Sequence, residues 1–512
     1  MTDRSIAALV VAIASALAWG GYVLTGNVGL DLYDEGYLWY GVQRTLTGEV
    51  PLRDFQSYDP GRYYWCASWS WLFGDGVLGI RRSLVLFQTL GLSFGLLAAR
   101  RVTRNPVALV GIGLLFWVWM YPRHKLFEPS LALAAVYLVV RVFEAPTRRR
   151  HFLLGLSLGF SAFIGRNHGL YCGGGELLAL AILHGKRRTP DMPSLLAAFA
   201  GGTLLGFSPL LGMVAIVPGF AEAFARSLTD LSPLPSPIPW PWTLVQVEMV
   251  PSPWAVVLWC MSLMYCVMVV AIPMGLWAIW KSPADALASR ALFTASICLA
   301  LGYLHHATTR AGLPHLAQAI HPLLLALLAM PLLLSEKLKH VASWGIGGLL
   351  AMTTAGVSLE IGRPALEARG IWPHAGVEYA TYDAAGESLR LPSRLATELE
   401  QLEEALARRV PLDDPLLILP YRSIYYPLLE RSSPVWGIFF IRAGQGESDA
   451  EMIARIEDGD IDWVLYSTEV IHGARGDFAA LRPAVARHLM TRFERVDAPD
   501  LPEGHLLLRR RR

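Results

Sequence analysis

Two adjacent carboxylates, Asp34 and Glu35, open a stretch unusually rich in charge, LYDEGYLWYGVQRTLTGEVPLRDFQSYDPGRYY at 32–64. The same region supplies Asp31, Glu49, Asp54 and Asp59 with Arg44, Arg53 and Arg62. A carboxylate takes a proton from a hydroxyl or ligates a cation, and a guanidinium matches the geometry of a phosphate. Because the stretch follows the first long apolar run, such chemistry would sit where water meets lipid. From Asp34 onward, Tyr37, Leu38, Gly41, Val42 and Leu46 fall at helical spacing, and Gly48 stops the pattern. Asp34 stands where an N-cap would stand and Glu35 lies in the first turn, so capping and complementing the helix dipole is the plainer role for both. The two roles are compatible, since a helix N-terminus keeps carboxylates ionised.

Other chemistry-bearing residues are scattered along the chain. Glu128 ends the segment PRHKLFE at 122–128, and Arg166, Asn167 and His168 form a polar turn between two apolar runs. The segment HHATTRAGLPHLAQ at 305–318 holds His305, His306, Arg310 and His315. Three histidines invite a metal, but no second ligand set has a clear spacing, whereas Arg310 suits a phosphate. Glu176 is an ionisable residue inside an apolar run, which by default suggests a function, although a partner in the 166–168 turn would explain it equally. The five cysteines lie in or beside apolar segments without metal-like or redox-like spacing, and read as small apolar fillers.

The elements that must position these residues are mostly apolar helices. The 512 residues are 54% hydrophobic and 17% charged, with mean hydropathy +0.39. Spanning runs recur at 6–26, 77–99, 107–121, 129–144, 152–165, 169–184, 194–217, 253–280, 289–304, 319–335 and 341–359. The run 62–73 is short and rich in Tyr, Trp and Ser, which suits a helix lying in the interface. With it lying flat, Arg4, the 100–104, 148–150 and 186–188 clusters, Lys281, Lys337 and Lys339 all fall on one side. The expected fold is therefore an α-helical polytopic membrane protein of about eleven transmembrane helices, its N-terminus cytoplasmic and its C-terminus outside. The loops 27–76, 122–128, 166–168, 218–252 and 305–318 then share the outer face. The proline-rich 218–252 loop, with Trp240, Trp242 and Trp254 nearby, suits an interfacial belt or a cover.

Beyond residue 360 the composition becomes that of a water-soluble domain. Helices are expected at 392–408 and 448–457, strands at 416–419, 462–466 and 504–508, giving a small extracytoplasmic α/β domain at 360–512 behind a membrane module at 1–359. It has no phosphate loop and no nucleophile elbow, and Arg509–Arg512 reads as a solvated or headgroup-touching tail. A net charge of +2 gives no indication of nucleic acid as a partner.

These pieces resemble the GT-C membrane glycosyltransferases, in particular the protein-mannosyltransferase and aminoarabinose-transferase-like branch (glycosyltransferase family 39-like). The resemblance rests on Asp34-Glu35 after the first span, then GEVPLRDFQSYDPGRYY, FEP at 127–129, TTRAGLPHL at 308–316 and LPYRSIYYPLLERSSP at 419–434. It covers nearly the whole chain and implies a cavity at the outer leaflet, with a polyprenyl-phosphate-linked sugar as donor and a glycan, lipid or protein hydroxyl as acceptor. It further implies Asp34 as general base, Glu35 as its neighbour in the motif, and Glu128 as the second acidic residue, where Asp is usual. Arg310 matches the position that holds the donor phosphate, His315 follows in the same loop, and Arg53 and Arg166 would add positive charge. A divalent cation (Mg or Mn) at Asp34 and Glu128 would assist the leaving group. The expected address is a bacterial cytoplasmic membrane with the active face outward. The alternatives are a transporter, flippase or ligase-like protein for lipid-linked glycans, or a scaffold. No internal repeat favours a transporter.

Overall fold

The computed structural model describes residues 3–187, 191–229, 253–309, 311–373, 376–440, 447–468 and 478–511. The chain forms two compact units. One comprises Met1–Gly26, Leu84–Leu211 and Pro235–Pro364, the other Asn27–Ser83, Gly212–Leu234 and Ala365–Arg512. The polar loop after the first helix thus belongs with the C-terminal residues, not with the apolar helices that flank it in sequence.

Helices occupy all eleven apolar stretches. Six of them are long and apolar enough to cross a membrane: Asp3–Thr25, Val77–Ala99, Met192–Ile216, Ala255–Lys281, Ala291–Thr309 and Glu336–Leu359. A seventh is reached if Leu313–Ala319 and His321–Leu333, bent by 56°, count as one span. The others are too short or carry charge: Pro106–Trp119 has 14 residues, about 21 Å of helix against a hydrocarbon core of about 30 Å. Phe127–Glu144 includes Glu128, Arg141 and Glu144, and Arg148–Ile164 opens on three arginines. Inside this unit the helices Arg148–Ile164 and Met192–Ile216 approach through Gly155 and Gly159 on one and Gly202 and Gly206 on the other. A Cβ at any of these four would lie 2.0–2.2 Å from a backbone oxygen of the opposing helix. This is the small-xxx-small packing by which helices associate in lipid. Among the described residues of the segment expected as a loop at 305–318, residues 305–309 end the helix Ala291–Thr309 and Leu313–Ala319 forms another, so His305 and His306 sit near a helix C-terminus.

In the second unit, Asp34–Leu46 is helical as the spacing predicts, and Pro60–Ser68 with Ser70–Phe73 occupies the run read as interfacial. The C-terminal residues open with a hairpin of β1 (Tyr379–Ala384) and β2 (Glu387–Pro392) that sequence reading does not anticipate. Ser393–Ala407 is helical, burying Leu399, Leu402 and Leu406. Then follow β3 (Leu416–Leu419), helix Asp449–Asp458, β4 (Trp463–Ser467), helix Pro483–Arg492, β5 (Phe493–Arg495) and β6 (His505–Arg510). They form a sheet of order β3-β4-β6-β5, parallel between β3 and β4 and antiparallel elsewhere. Ser448 and Glu451 close a reciprocal capping box on the 449–458 helix, whose Met452 and Ile456 pack on Leu417, Val464 and Leu489. The terminal arginines are not a solvated tail throughout. Arg510 ends β6, donates to Glu457 at 2.9 Å and to the Ile456 carbonyl at 2.6 Å, and Arg509 lies over Trp463.

Candidate active site

The 34–46 helix is capped from outside itself. Asp31 Oδ1 accepts the backbone N–H of Tyr33 at 2.8 Å and of Asp34 at 3.1 Å, while Tyr33, the residue before the helix, makes no side-chain cap. Asp34 is the first helical residue, so its carboxylate is not committed to capping as its position in the sequence suggested. Its Oδ1 instead accepts the Tyr421 hydroxyl at 2.6 Å, with the Tyr58 hydroxyl at 3.5 Å, too long for a strong bond.

Glu35 is held differently. Arg81 donates Nε to Glu35 Oε1 and Nη2 to Oε2, both at 2.7 Å, and Nη2 also reaches the Gly29 carbonyl at 2.8 Å. The Asp31 N–H adds a bond to Oε2 at 3.2 Å. Both side chains are 2–3% exposed. A bidentate fork with its remaining oxygen site filled is the geometry in which a buried ion pair holds its place. It fixes the first turn of the helix, and with it the carboxylate next door. Arg81 lies 46 residues further on, at the head of a run that reads simply as a span, and no local signal links it to Glu35.

The residues 419–440 close over this turn. The Ser423 hydroxyl donates to the Tyr33 carbonyl at 2.8 Å, and Gln56 Oε1 accepts the N–H groups of Ile438 and Phe439 at 2.9 and 2.8 Å. Gly36 makes the approach feasible, because a Cβ there would lie 2.4 Å from the Ile424 nitrogen. Tyr421 meets Phe439 edge-on at 4.3 Å between centroids and Tyr33 at 5.4 Å, and Tyr37 meets Tyr58 edge-on at 4.7 Å. Arg62 and Arg422 lie over the Tyr58 and Tyr33 rings at 4.7 and 4.5 Å. The result is a wall of tyrosines with a half-buried carboxylate in it. Sequence reading missed Tyr421; the only signal was the aromatic run after β3.

Burial, then the Asp34 charge, pushes the Tyr421 hydroxyl well above the ordinary tyrosine value of 10.0, so it remains a donor. Burial also raises Tyr63, and Tyr40 to about 12. A group whose folded value is raised contributes stability that is whole below its unfolded value and is lost as pH climbs toward the folded one. The second unit should therefore keep its stability up to about pH 10 and lose it above. Tyrosine absorbance followed against circular dichroism checks this: ionisation of these three should accompany unfolding, not precede it.

The remaining candidates are placed as follows. Arg53 forks onto Asp54 at 2.8 and 2.7 Å and donates to the Pro218 carbonyl at 3.1 Å. The Arg53 guanidinium is the main cause that holds the Asp54 carboxyl below its usual range. Its charge is thus already matched by a neighbour. In the first unit, Glu128 is buried in the first turn of Phe127–Glu144, with Oε1 3.5 Å from His168 Nε2. His168 also meets His306 at 5.4 Å between centroids, and His306 meets His315 at 5.3 Å and donates from Nε2 to Gln318 Oε1 at 3.2 Å. The structure thus gathers Glu128 and His315 around two histidines, His168 and His306. Arg166 opens the Arg166–Lys186 helix two residues before His168. Arg310 lies outside the described residues. Glu176 is fully buried and has no hydrogen-bond partner among the described residues.

Among the described residues no group of three or more His, Cys, Asp or Glu side chains is arranged to hold a metal ion.

No family model matches the sequence, and no curated protein matches it. Among solved structures, the chain is similar to ArnT from Cupriavidus metallidurans bound to undecaprenyl phosphate, at 15% identity and a TM-score of 0.49, over 99% of this chain and 98% of that one. It is also similar to the archaeal oligosaccharyltransferase AglB from Archaeoglobus fulgidus, solved with an inhibitory peptide and a dolichol-phosphate. That match has 10% identity and a TM-score of 0.43, over 96% of this chain and 72% of that one.

Proposed function

We propose that the chain transfers a sugar from a polyprenyl-phosphate-linked donor to a hydroxyl of a glycan, lipid or protein at the outer face of the cytoplasmic membrane. The observation that supports this most is the Asp34 carboxylate, released from capping by Asp31 and gripped at one oxygen by Tyr421. That arrangement leaves a fixed base for an incoming hydroxyl. The hydroxyl proton passes to Asp34 as the acceptor oxygen bonds to the anomeric carbon. The bond from that carbon to the phosphate oxygen breaks, and its electron pair leaves with the lipid phosphate. Developing negative charge on the phosphate needs fixed positive charge, the role that the motif resemblance gives to Arg310 with His315. Glu35, with both oxygens engaged by Arg81, positions the turn instead of reacting. Arg53, matched by Asp54, is not assigned to the phosphate. A single displacement inverts the anomeric centre.

The test is transfer by protein reconstituted in liposomes, offered a panel of radiolabelled polyprenyl-phosphate sugars with an envelope extract as acceptor. Transfer from one donor with inverted product stereochemistry is expected. Retention of configuration would sink the single displacement, and binding of donor without turnover in any acceptor fraction would favour a transporter.

Tyr421→Phe tests the positioning of the base. Loss of one hydrogen bond to a charged group should lower kcat about tenfold with little change in KM. The acidic limb of the pH–rate profile should move to higher pH, because the carboxylate has lost a donor. An unchanged profile would mean that Tyr421 only packs.

A further inference from the structure

One cavity in the second unit is lined by none of the residues placed around Asp34 above and plays no part in the reaction proposed there. Its volume is about 720 Å³, and its lining includes Arg369, Arg390, Glu378, Tyr379 and Ser393. The two guanidiniums are fixed in place. Arg369 Nη2 donates to Asn27 Oδ1 at 2.9 Å, and Arg390 Nη1 donates to the Ala368 carbonyl at 2.6 Å. The backbone around them is tied too, since Gly29 N–H donates to the Arg390 carbonyl and Arg390 N–H to that of Asn27. Directly beside Gly370, the side chains of Ile371 and Trp372 are 62% and 49% exposed. They are not loose, because both backbone N–H groups donate to the Leu366 carbonyl.

Along the chain, the residues of this cavity follow closely on two candidate spans. Asn27 follows the end of the first span, Thr25, by two residues, about 7 Å of chain at most. Arg369 follows the 336–361 helix after one short helix, Arg363–Ala368. An exposed Trp beside an exposed Ile, reached after one short helix beyond a candidate span, is the composition of a membrane interface. The charges then define the guest. Two guanidiniums suit a phosphate, for which their forked donors are shaped. A carboxylate in the same lining would repel a purely anionic guest but would pair with an ammonium two carbons from the phosphate.

We propose that this cavity binds the phosphoethanolamine headgroup of a bilayer phospholipid, phosphate on Arg369 and Arg390 and amine on Glu378, with Ile371 and Trp372 seated among the acyl chains. The site is independent of the transfer reaction and anchors the second unit to the bilayer.

The full-length protein is purified in mild detergent and titrated by native mass spectrometry with phosphatidylethanolamine, with phosphatidylglycerol and with soluble glycerophosphoethanolamine. The wild type should prefer phosphatidylethanolamine to phosphatidylglycerol about tenfold and bind the soluble headgroup far more weakly. Arg390→Gln should cost about tenfold in affinity for either lipid. Glu378→Gln, at an exposed side chain, should abolish the preference without loss of phosphatidylglycerol, and this variant keeps the test sound if Arg390→Gln folds poorly. Equal retention of the two lipids by the wild type would overturn the proposal, as would an unaltered preference in Glu378→Gln. Soluble headgroup binding as tight as the lipid would overturn the bilayer as its source.

Discussion

Asp34→Asn in the reconstituted protein is expected to lower sugar transfer by about 10²- to 10⁴-fold, the contribution of a positioned general base. The substitution is close to isosteric. The amide oxygen of Asn still accepts the Tyr421 hydroxyl, and Asp31 still caps the helix. The fold should therefore survive, and donor binding should stay within a few fold of wild type. That separates loss of chemistry from loss of structure: kcat should collapse while KM for the lipid donor barely moves. Equal transfer by the variant and the wild type would remove Asp34 as the base, whatever the donor.

Arg81→Leu is the change with the largest expected effect on stability. It leaves the Glu35 carboxylate in a site that is almost sealed from water, without its forked partner. Breaking a buried pair from one side costs about 3–5 kcal/mol, comparable to a large part of a domain's total stability. Thermal unfolding in detergent should show a lowered transition and a reduced folded yield. Replacing both residues, Glu35→Leu with Arg81→Leu, should be milder than either single change, because no orphan charge then remains buried. Additive losses in the double variant would mean that the two side chains act independently, contrary to the geometry.

Much of this was legible in the chain. The period of apolar residues placed every long helix, and Asp34–Leu46, Ser393–Ala407 and β3 fell where the patterns put them. Asp34 was singled out by its type and its place after the first span. What escaped were relations that span distance. Nothing near Glu35 announces Arg81, and nothing near Asp34 announces Tyr421, because a hydrogen bond across hundreds of residues leaves no period in either segment. The assignment of the cap was missed for a subtler reason. Asp31 and Asp34 are both good capping residues, and only the backbone of Tyr33 decides between them. Short strands such as β1 and β2 flank Ala385 and Gly386, both at positive φ, a turn that composition alone does not mark among the surrounding polar residues.

The bond between Tyr421 and Asp34 joins residues 387 positions apart. During biosynthesis Asp34 therefore leaves the ribosome long before Tyr421. At about 5–20 residues per second, roughly 20 to 80 s separate the two. Through that interval the nascent chain carries the Asp34 carboxylate beyond its first helix without the tyrosine wall that surrounds it in the finished fold. On the proposed function, the site is complete only once the residues after 419 have folded against Asp34. On the proposed function, a product halted anywhere before residue 421 would lack the hydroxyl that holds the Asp34 carboxylate and should transfer no sugar.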